Sequence, residues 1–132
     1  MKSIIRMVWL LAVICFIMGF VLGLGVARAE VTEASWYSVA SCLREGTSGI
    51  MANGKELRDE ELTCASWDYP FGTVLLITNL ANSKTVKVIV SDRGPSKRLY
   101  RLGRRIDLSK GAFGQIANLK SGIIKVRIEV SK

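Results

Sequence analysis

Histidine is absent from the 132 residues of this sequence. An imidazole is the usual base that activates a serine or cysteine nucleophile. It is also, with cysteine, one of the main zinc ligands in proteins. The absence therefore excludes Ser-His-Asp hydrolysis and most zinc sites, and it makes a cysteine nucleophile a weak hypothesis. We predict no metal and no other cofactor.

Cysteine is scarce, with three residues in the chain. Cys15 lies inside a long apolar run, which leaves Cys42 and Cys64 as a pair. In an oxidising compartment an even pair of cysteines is typical of a disulfide. A Cys42–Cys64 bond would close a loop of about 22 residues and stabilise the fold by roughly 3 kcal/mol. We therefore predict this disulfide.

The first residues show the pattern of a secretory signal. Lys2 and Arg6 precede an apolar run from residue 7 to residue 26, and Ala27-Arg28-Ala29 forms a small-x-small cleavage site. This pattern predicts a signal peptide over residues 1–29 and export to the periplasm or the extracellular space. An uncleaved anchor is the alternative, because the run is long enough to span a bilayer. We expect cleavage, with no stable membrane insertion afterwards.

Acidic residues are fewer than basic ones, 11 against 19. Because Lys2, Arg6 and Arg28 and no acidic residue precede the cleavage site, residues 30–132 carry a formal charge of +5. For an exported protein this charge favours anionic wall polymers or membrane surfaces as partners and argues against nucleic acid. Maintenance of solubility is an equally good explanation. We expect a monomer.

Residues 30–132 predict a single small all-β domain. One helical pattern, residues 110–118, follows Ser109, which is a good N-cap residue. Short apolar and alternating runs separated by turn residues predict strands. They cover residues 31–37, 73–79, 85–90, 104–108 and 122–130, and residues 63–66 are mildly β-prone. Many short strands with one short helix are typical of a small β-barrel.

The stretch Ser91-Asp92-Arg93-Gly94-Pro95 is the first candidate for chemistry. It is a polar turn between two apolar strands, where burial and neighbouring charges can tune a carboxylate. A basic segment follows it, with Lys97, Arg98, Arg101, Arg104 and Arg105. This segment is either a solvated loop or a cationic rim that holds an anionic ligand beside Asp92.

A series of spaced motifs resembles the rare lipoprotein A (RlpA) family. The motifs run through nearly all of residues 30–132 and are Ala34-Ser35-Trp36-Tyr37, Met51-Ala52-Asn53-Gly54, Thr63-Cys64-Ala65-Ser66, Pro70-Phe71-Gly72-Thr73, Thr78-Asn79-Leu80, Asp92-Arg93-Gly94-Pro95 and Arg105-Ile106-Asp107-Leu108-Ser109. The resemblance implies a six-stranded double-psi β-barrel with one or two short helices, related to barwin and expansin domains. It also implies an endolytic peptidoglycan lytic transglycosylase that acts on glycan strands stripped of peptides.

The resemblance assigns the catalytic acid to Asp92, with three departures nearby. The family pattern has Glu, Asp and His where this sequence has Lys55, Arg58 and Ser66. Glu56 and Asp59 stand one position after the two lost acids, so a one-residue shift of the loop would let them assist Asp92. If Arg93 pointed at Asp92 it would lower the pKa of that acid, so we expect Arg93 to point elsewhere or to bind ligand.

A glycan site needs aromatic and polar side chains as well as an acid. The candidates for substrate binding are Trp36, Tyr37, Asn53, Ser66, Trp67 and Arg93. We expect at least one of Trp36 and Tyr37 to pack in the core and not to bind sugar. The alternative function is a non-catalytic wall-polysaccharide-binding barrel of barwin or expansin type that has lost the catalytic His and acids.

Overall fold

The structure is a computed structural model that describes residues 29–132. The predicted signal peptide lies outside this range except for Ala29. Within it, no helix is both long and apolar enough to cross a membrane. The elements follow the order β1 (Glu30–Tyr37), α1 (Val39–Arg44), β2 (Thr63–Ser66), β3 (Val74–Asn79), β4 (Thr85–Asp92), α2 (Lys97–Arg101), β5 (Arg104–Ser109), α3 (Lys110–Ile116), a 3-10 turn (Leu119–Ser121) and β6 (Ile123–Val130).

The six strands close into a barrel with the order β1-β5-β2-β4-β3-β6 around its wall. The pairs β1/β5 and β2/β4 are parallel, and the other four pairs are antiparallel. Closure removes the unpaired sheet edges that an open sheet would expose. The prediction of a six-stranded all-β barrel is confirmed, and the order places β2 between β4 and β5.

Alternating apolar residues fill the barrel interior. In β4, Val86, Val88 and Val90 are buried while the residues between them are exposed. Helix α3 packs Phe113 and Ile116 against the same core, and both are fully buried. Each buried side chain of this size contributes about 1.5–3 kcal/mol relative to exposure. The period-two pattern therefore fixes which face of each strand looks inward.

A β-bulge in β4 breaks this alternation next to the candidate site. The register between β2 and β4 passes from Cys64 opposite Val90 to Ala65 opposite Asp92, which leaves Ser91 as an extra residue. Without the extra residue, Asp92 would share the core-facing side of Val90. With it, Asp92 shares the face of Ala65 and turns away from the core.

A second bulge lies in β5. The register between β1 and β5 passes from Glu33 opposite Arg104 to Ala34 opposite Ile106, and Arg105 is the extra residue. As a result, Arg104 does not share the core-facing side of Ile106. It lies on the same face as Asp107, which is two positions further along the paired register.

Three α-helices are found in the described range where the sequence predicted one or two. Helix α3 agrees with its prediction, since the Ser109 hydroxyl accepts the Ala112 N–H at 3.3 Å. Helix α1 begins with a reciprocal capping box between Ser38 and Ser41. Helix α2 occupies part of the basic segment that follows the Asp92 turn.

The predicted disulfide is not formed. Within residues 29–132, both Cys42 and Cys64 are free thiols. Cys64 is completely buried in the barrel core, whereas Cys42 is half-buried on α1 and lines the groove described below. Burial raises the pKa of the Cys64 thiol to about 12, and the charge of Asp107 adds to the effect. The prediction failed because an even number of cysteines does not show that two of them are neighbours in the fold.

Candidate active site

A groove of about 560 Å³ opens on the barrel face to which the two bulges direct their side chains. Its lining comes from strands β1, β2, β4 and β5, from α1 and the irregular segment that follows it, and from the start of α2. The polar and charged residues of the lining are Ser35, Tyr37, Ser41, Glu45, Thr47, Asp92, Arg93, Ser96, Arg104 and Asp107.

Asp92 is held by three hydrogen bonds. Its Oδ1 accepts the main-chain N–H of Ala52 at 2.9 Å and that of Arg93 at 2.8 Å. Its Oδ2 accepts the hydroxyl of Tyr37 at 3.2 Å. Two main-chain donors and one side-chain donor fix the orientation of this carboxyl group and hydrogen-bond both of its oxygens. Asp92 therefore presents a fixed negative group to the groove.

Asp107 is a second carboxyl group in the groove lining. Its Oδ1 accepts the Ser35 hydroxyl at 2.5 Å. Burial raises the pKa of Asp107 above its usual range, and the negative charges of Asp92 and Glu45 raise it further. The hydrogen bond from Ser35 and the charge of Arg104 act in the opposite direction. The environment therefore favours the protonated form of Asp107 more than that of an ordinary aspartate.

Small residues separate the two carboxyl groups. Ala65 is the register partner of Asp92 on β4 and also of Asp107 on β5. With two strand spacings between them, the two Cα atoms lie about 10 Å apart. The backbone of Gly94 closes over Ala65, and a Cβ at Gly94 would lie 3.2 Å from that of Ala65 and 3.5 Å from Oδ2 of Asp107. Both small residues keep the space between the acids open.

Core packing and a place in the groove were both open for Tyr37 and Trp36, and the structure shows one of each. The Tyr37 hydroxyl donates to Asp92 inside the groove, and burial together with the charge of Asp92 raises its pKa. The Trp36 indole packs against the core and donates from Nε1 to the Leu119 carbonyl at 3.0 Å. Trp36 still lines the groove, but its hydrogen bond goes to the scaffold.

Arg93 points away from Asp92, as the sequence predicted. Its Nη1 donates to the carbonyls of Ser66 at 2.7 Å and Tyr69 at 2.8 Å. Its guanidinium lies 3.9 Å from the ring centroid of Phe71, within the range of a cation–π contact. Arg93 therefore holds the β2–β3 connection against the Asp92 turn.

The structure does not bring Glu56 and Asp59 into the groove. Both line a separate shallow depression. The Asp59 carboxylate accepts the main-chain N–H of Val39 at 2.8 Å and so anchors the start of α1. Glu56 is exposed, and its backbone forms an isolated bridge to Ile50. The one-residue loop shift that would have returned these acids to Asp92 is therefore not found.

Three of the expected substrate-binding residues also lie outside the groove lining. The Asn53 side chain accepts the Lys55 N–H within its own turn. The buried Ser66 hydroxyl accepts the Asp68 N–H, also within a turn. Trp67 is 42% exposed and lies over a different depression, where its Nε1 donates to the Pro95 carbonyl at 2.7 Å.

Asp107 and Glu45 were not predicted as groove residues, whereas Arg104 belongs to the predicted cationic rim and does line the groove. A signal for Asp107 was present, because it stands between Ile106 and Leu108 and must face away from the core that they fill. Glu45 follows α1, a helix that the sequence reading did not include. Among residues 29–132 no group of three or more His, Cys, Asp or Glu side chains is placed to hold a metal ion.

Residues 29–128 match the family described as "Lytic transglycolase". The chain belongs to this family. The resemblance predicted from the motifs is confirmed, and the barrel is the double-psi barrel of the lytic transglycolase family.

Curated relatives of the lytic transglycolase family align with most of this chain. It is 42% identical over 108 residues to the endolytic peptidoglycan transglycosylase RlpA of Campylobacter jejuni, which covers 80% of the chain and 36% of that protein. It is 39% identical over 101 residues to the protein of the same name from Rickettsia typhi, covering 76% and 29%. The chain thus spans about a third of the length of these relatives.

Solved structures share the fold. The Streptomyces papain inhibitor superposes with a TM-score of 0.59 at 20% identity, over 81% of this chain and 97% of the inhibitor. An expansin from Clavibacter michiganensis superposes with a TM-score of 0.56 at 22% identity, over 80% of this chain and 51% of the expansin. At these identities the likeness concerns the barrel alone.

Proposed function

We propose that this protein is an exported lytic transglycosylase that cleaves peptidoglycan glycan strands in the groove. The observation that carries the proposal is the pair of carboxyl groups, Asp92 and Asp107, on one face at either side of Ala65. Membership of the lytic transglycolase family and the names of the curated relatives support it. The site of action is the cell envelope, and peptidoglycan is the partner.

Asp107 acts first as the acid. Protonated Asp107 donates its proton to the glycosidic oxygen, and the bond between that oxygen and C1 of N-acetylmuramic acid breaks. The electron pair of the bond leaves with the oxygen, so positive charge develops on the sugar ring at C1. A raised pKa suits this role because the group must carry a proton at the pH of reaction.

Asp107 then acts as the base. As a carboxylate it takes the proton of the 6-hydroxyl of the same sugar, whose oxygen bonds to C1 and closes a 1,6-anhydro ring. The proton lost in the first step is regained in the second, and no water is consumed. A single carboxyl group therefore serves both steps, in contrast to the two catalytic carboxyl groups of most glycoside hydrolases.

Asp92 stabilises the positive charge that develops at C1. The three hydrogen bonds from Ala52, Arg93 and Tyr37 fix its carboxylate toward the groove, so it need not reorient during reaction. The sequence assigned the acid to Asp92. The arrangement favours division of the work, because Asp107 is the carboxyl group whose surroundings raise its pKa and Asp92 is the group with three donors.

The experiment is digestion of purified sacculi in water enriched in ¹⁸O. A transglycosylase releases 1,6-anhydro ends without ¹⁸O, whereas a hydrolase releases reducing ends that carry the label. Mass spectrometry of the released fragments separates the two. The proposal fails if the wild-type protein releases no anhydro product above the level of a double Asp92→Asn, Asp107→Asn variant.

A non-catalytic wall-binding barrel is the second candidate. The observation in its favour is the loss of the family His at Ser66, whose hydroxyl is buried in a turn, together with the loss of both neighbouring acids at Lys55 and Arg58. This candidate predicts that the protein sediments with sacculi and releases nothing. Binding without product, equal in wild-type and in the double Asp variant, would favour it.

A further inference from the structure

Within residues 29–132, Arg104 is the arginine of the groove lining that has no hydrogen-bond or salt-bridge partner. Of the two arginines in the lining, Arg93 is engaged by two carbonyls and the Phe71 ring. In the described part of the chain, Arg104 forms no salt bridge and its buried Nε lacks a hydrogen-bond partner. Buried polar groups are nearly always hydrogen-bonded, so the Arg104 guanidinium, which lines the groove, has unused donors for a bound ligand.

The bulge at Arg105 is what aims Arg104 into the groove. Regular alternation would have placed Arg104 on the core face with Ile106, where a charge would be expensive to bury. Bulges recur next to active sites because they redirect a side chain in this way. The other members of the predicted cationic rim do not reach the groove lining, and Lys97 and Arg105 lie instead over the rings of Trp67 and Tyr100.

We propose that the Arg104 guanidinium is an anion-binding subsite of the groove and binds a carboxylate carried by the saccharide. A guanidinium fork matches the two oxygens of a carboxylate and binds them in parallel. The inference rests on the proposed function for its ligand chemistry. N-acetylmuramic acid carries a 3-O-lactyl group, which ends in a carboxylate when no peptide is attached and in an amide when one is.

Such a subsite would also act on Asp107. The charge of Arg104 lowers the pKa of Asp107 in the free protein. A carboxylate bound to Arg104 would offset that charge and favour the protonated form of Asp107 when the sugar is in place. Asp92 and Glu45 would repel the incoming anion, so the binding of a carboxylate depends on Arg104.

The experiment measures binding, so that it does not depend on turnover. The full-length protein with Asp92→Asn is titrated with three ligands: an oligomer of alternating N-acetylglucosamine and N-acetylmuramic acid with free lactyl carboxylates, the same oligomer converted to its methylamide, and a neutral N-acetylglucosamine oligomer. Arg104→Gln is compared with Arg104→Lys and with Arg98→Gln, a control that removes an equal charge from an exposed position outside the groove.

We expect Arg104→Gln to weaken binding of the carboxylate oligomer about 10- to 100-fold and to leave the methylamide and neutral oligomers within about twofold. Arg104→Lys should restore part of the loss because it keeps the charge but not the fork. Arg98→Gln should bind like the parent. An equal loss for all three ligands, or no loss for any, overturns the subsite. If the subsite holds while the wild-type protein forms no anhydro product, the proposed function fails and the subsite stands.

Discussion

Asp92 and Asp107 share one register partner, Ala65, and so face the same groove from the two strands that flank β2. Three hydrogen-bond donors fix the carboxyl group of Asp92, and burial raises the pKa of Asp107. Two carboxyl groups in unlike surroundings can take different roles in one reaction.

Substitution of either acid should reduce catalysis by different amounts. Asp107→Asn removes the proton donor and should lower kcat by about 10²- to 10⁴-fold. Asp92→Asn removes a fixed charge and should lower kcat by about 10²- to 10³-fold. The measurement is the rate of anhydro-end release from sacculi, with Glu60→Gln as an exposed acid-to-amide control. Activity of Asp107→Asn within a few-fold of wild type would exclude Asp107 as the acid.

The stability of the fold should depend on pH through Asp107. Its folded pKa lies above the unfolded value because of burial and the charges of Asp92 and Glu45. The stabilising contribution is therefore present below the usual Asp pKa and is lost as pH rises through the folded pKa. Compared with wild type, Asp107→Asn should gain stability on going from acid to neutral pH. Urea unfolding across this range measures the difference.

Ser35→Ala is a second test at Asp107, because it removes a group that lowers the pKa of Asp107. The Ser35 hydroxyl donates to Asp107 and lowers its pKa. Removal of this donor should move the pH-dependent loss of stability to higher pH, and Arg104→Gln should act in the same direction. A shift to lower pH in both variants would show that the Ser35 hydroxyl and the Arg104 charge do not lower the pKa of Asp107.

Two glycines of helix α3 should respond oppositely to alanine. A Cβ at Gly111 would lie 2.6 Å from the Asp59 carbonyl oxygen, which accepts the Gly111 N–H at 2.7 Å. Gly111→Ala must displace the segment that anchors α1 and should cost about 1–3 kcal/mol. Gly114 is exposed with its nearest neighbour at 4.0 Å, so Gly114→Ala should gain about 0.5–1 kcal/mol. If both substitutions moved the urea midpoint in the same direction, the close approach of Gly111 to the Asp59 carbonyl would be contradicted.

The two described cysteines should react as separate thiols. Cys42 lines the groove and is half-buried, whereas Cys64 is buried with a pKa raised to about 12. A thiol reagent followed by peptide mapping should label Cys42 in the native protein and Cys64 only after unfolding. A reducing agent should leave Tm unchanged. Recovery of a linked Cys42–Cys64 peptide from protein exported to an oxidising compartment would show that the disulfide does form and would contradict the separate thiols.

The sequence predicted the strands well because the core demands alternation. Ser109 was also recognised as a helix cap, and Asp92 was found because a carboxylate in a Gly-Pro turn stands out. The capping box of Ser38 and Ser41 was readable in principle but lay in a segment rich in turn residues, so α1 was missed. Helical signals shorter than two turns compete poorly with turn signals.

The site was less predictable because its members depend on register. Asp107 looks like one polar residue in a strand until β5 is paired with β1 and β2. Glu56 and Asp59 looked close to Asp92 from the motif, but the path of the loop sends Asp59 to the start of α1. Neither fact follows from local spacing, since both are set by contacts between residues distant in sequence.

The bulge at Ser91 has a consequence for how this barrel can change. The number of residues between Val90 and the turn decides the face of β4 on which Asp92 lies, and the three hydrogen bonds then orient its carboxyl group. Deletion of Ser91 would leave the other residues of the groove in the sequence and would still turn the Asp92 carboxylate toward the core. The number of residues in that strand thus decides whether the carboxyl group of Asp92 faces the groove or the barrel core.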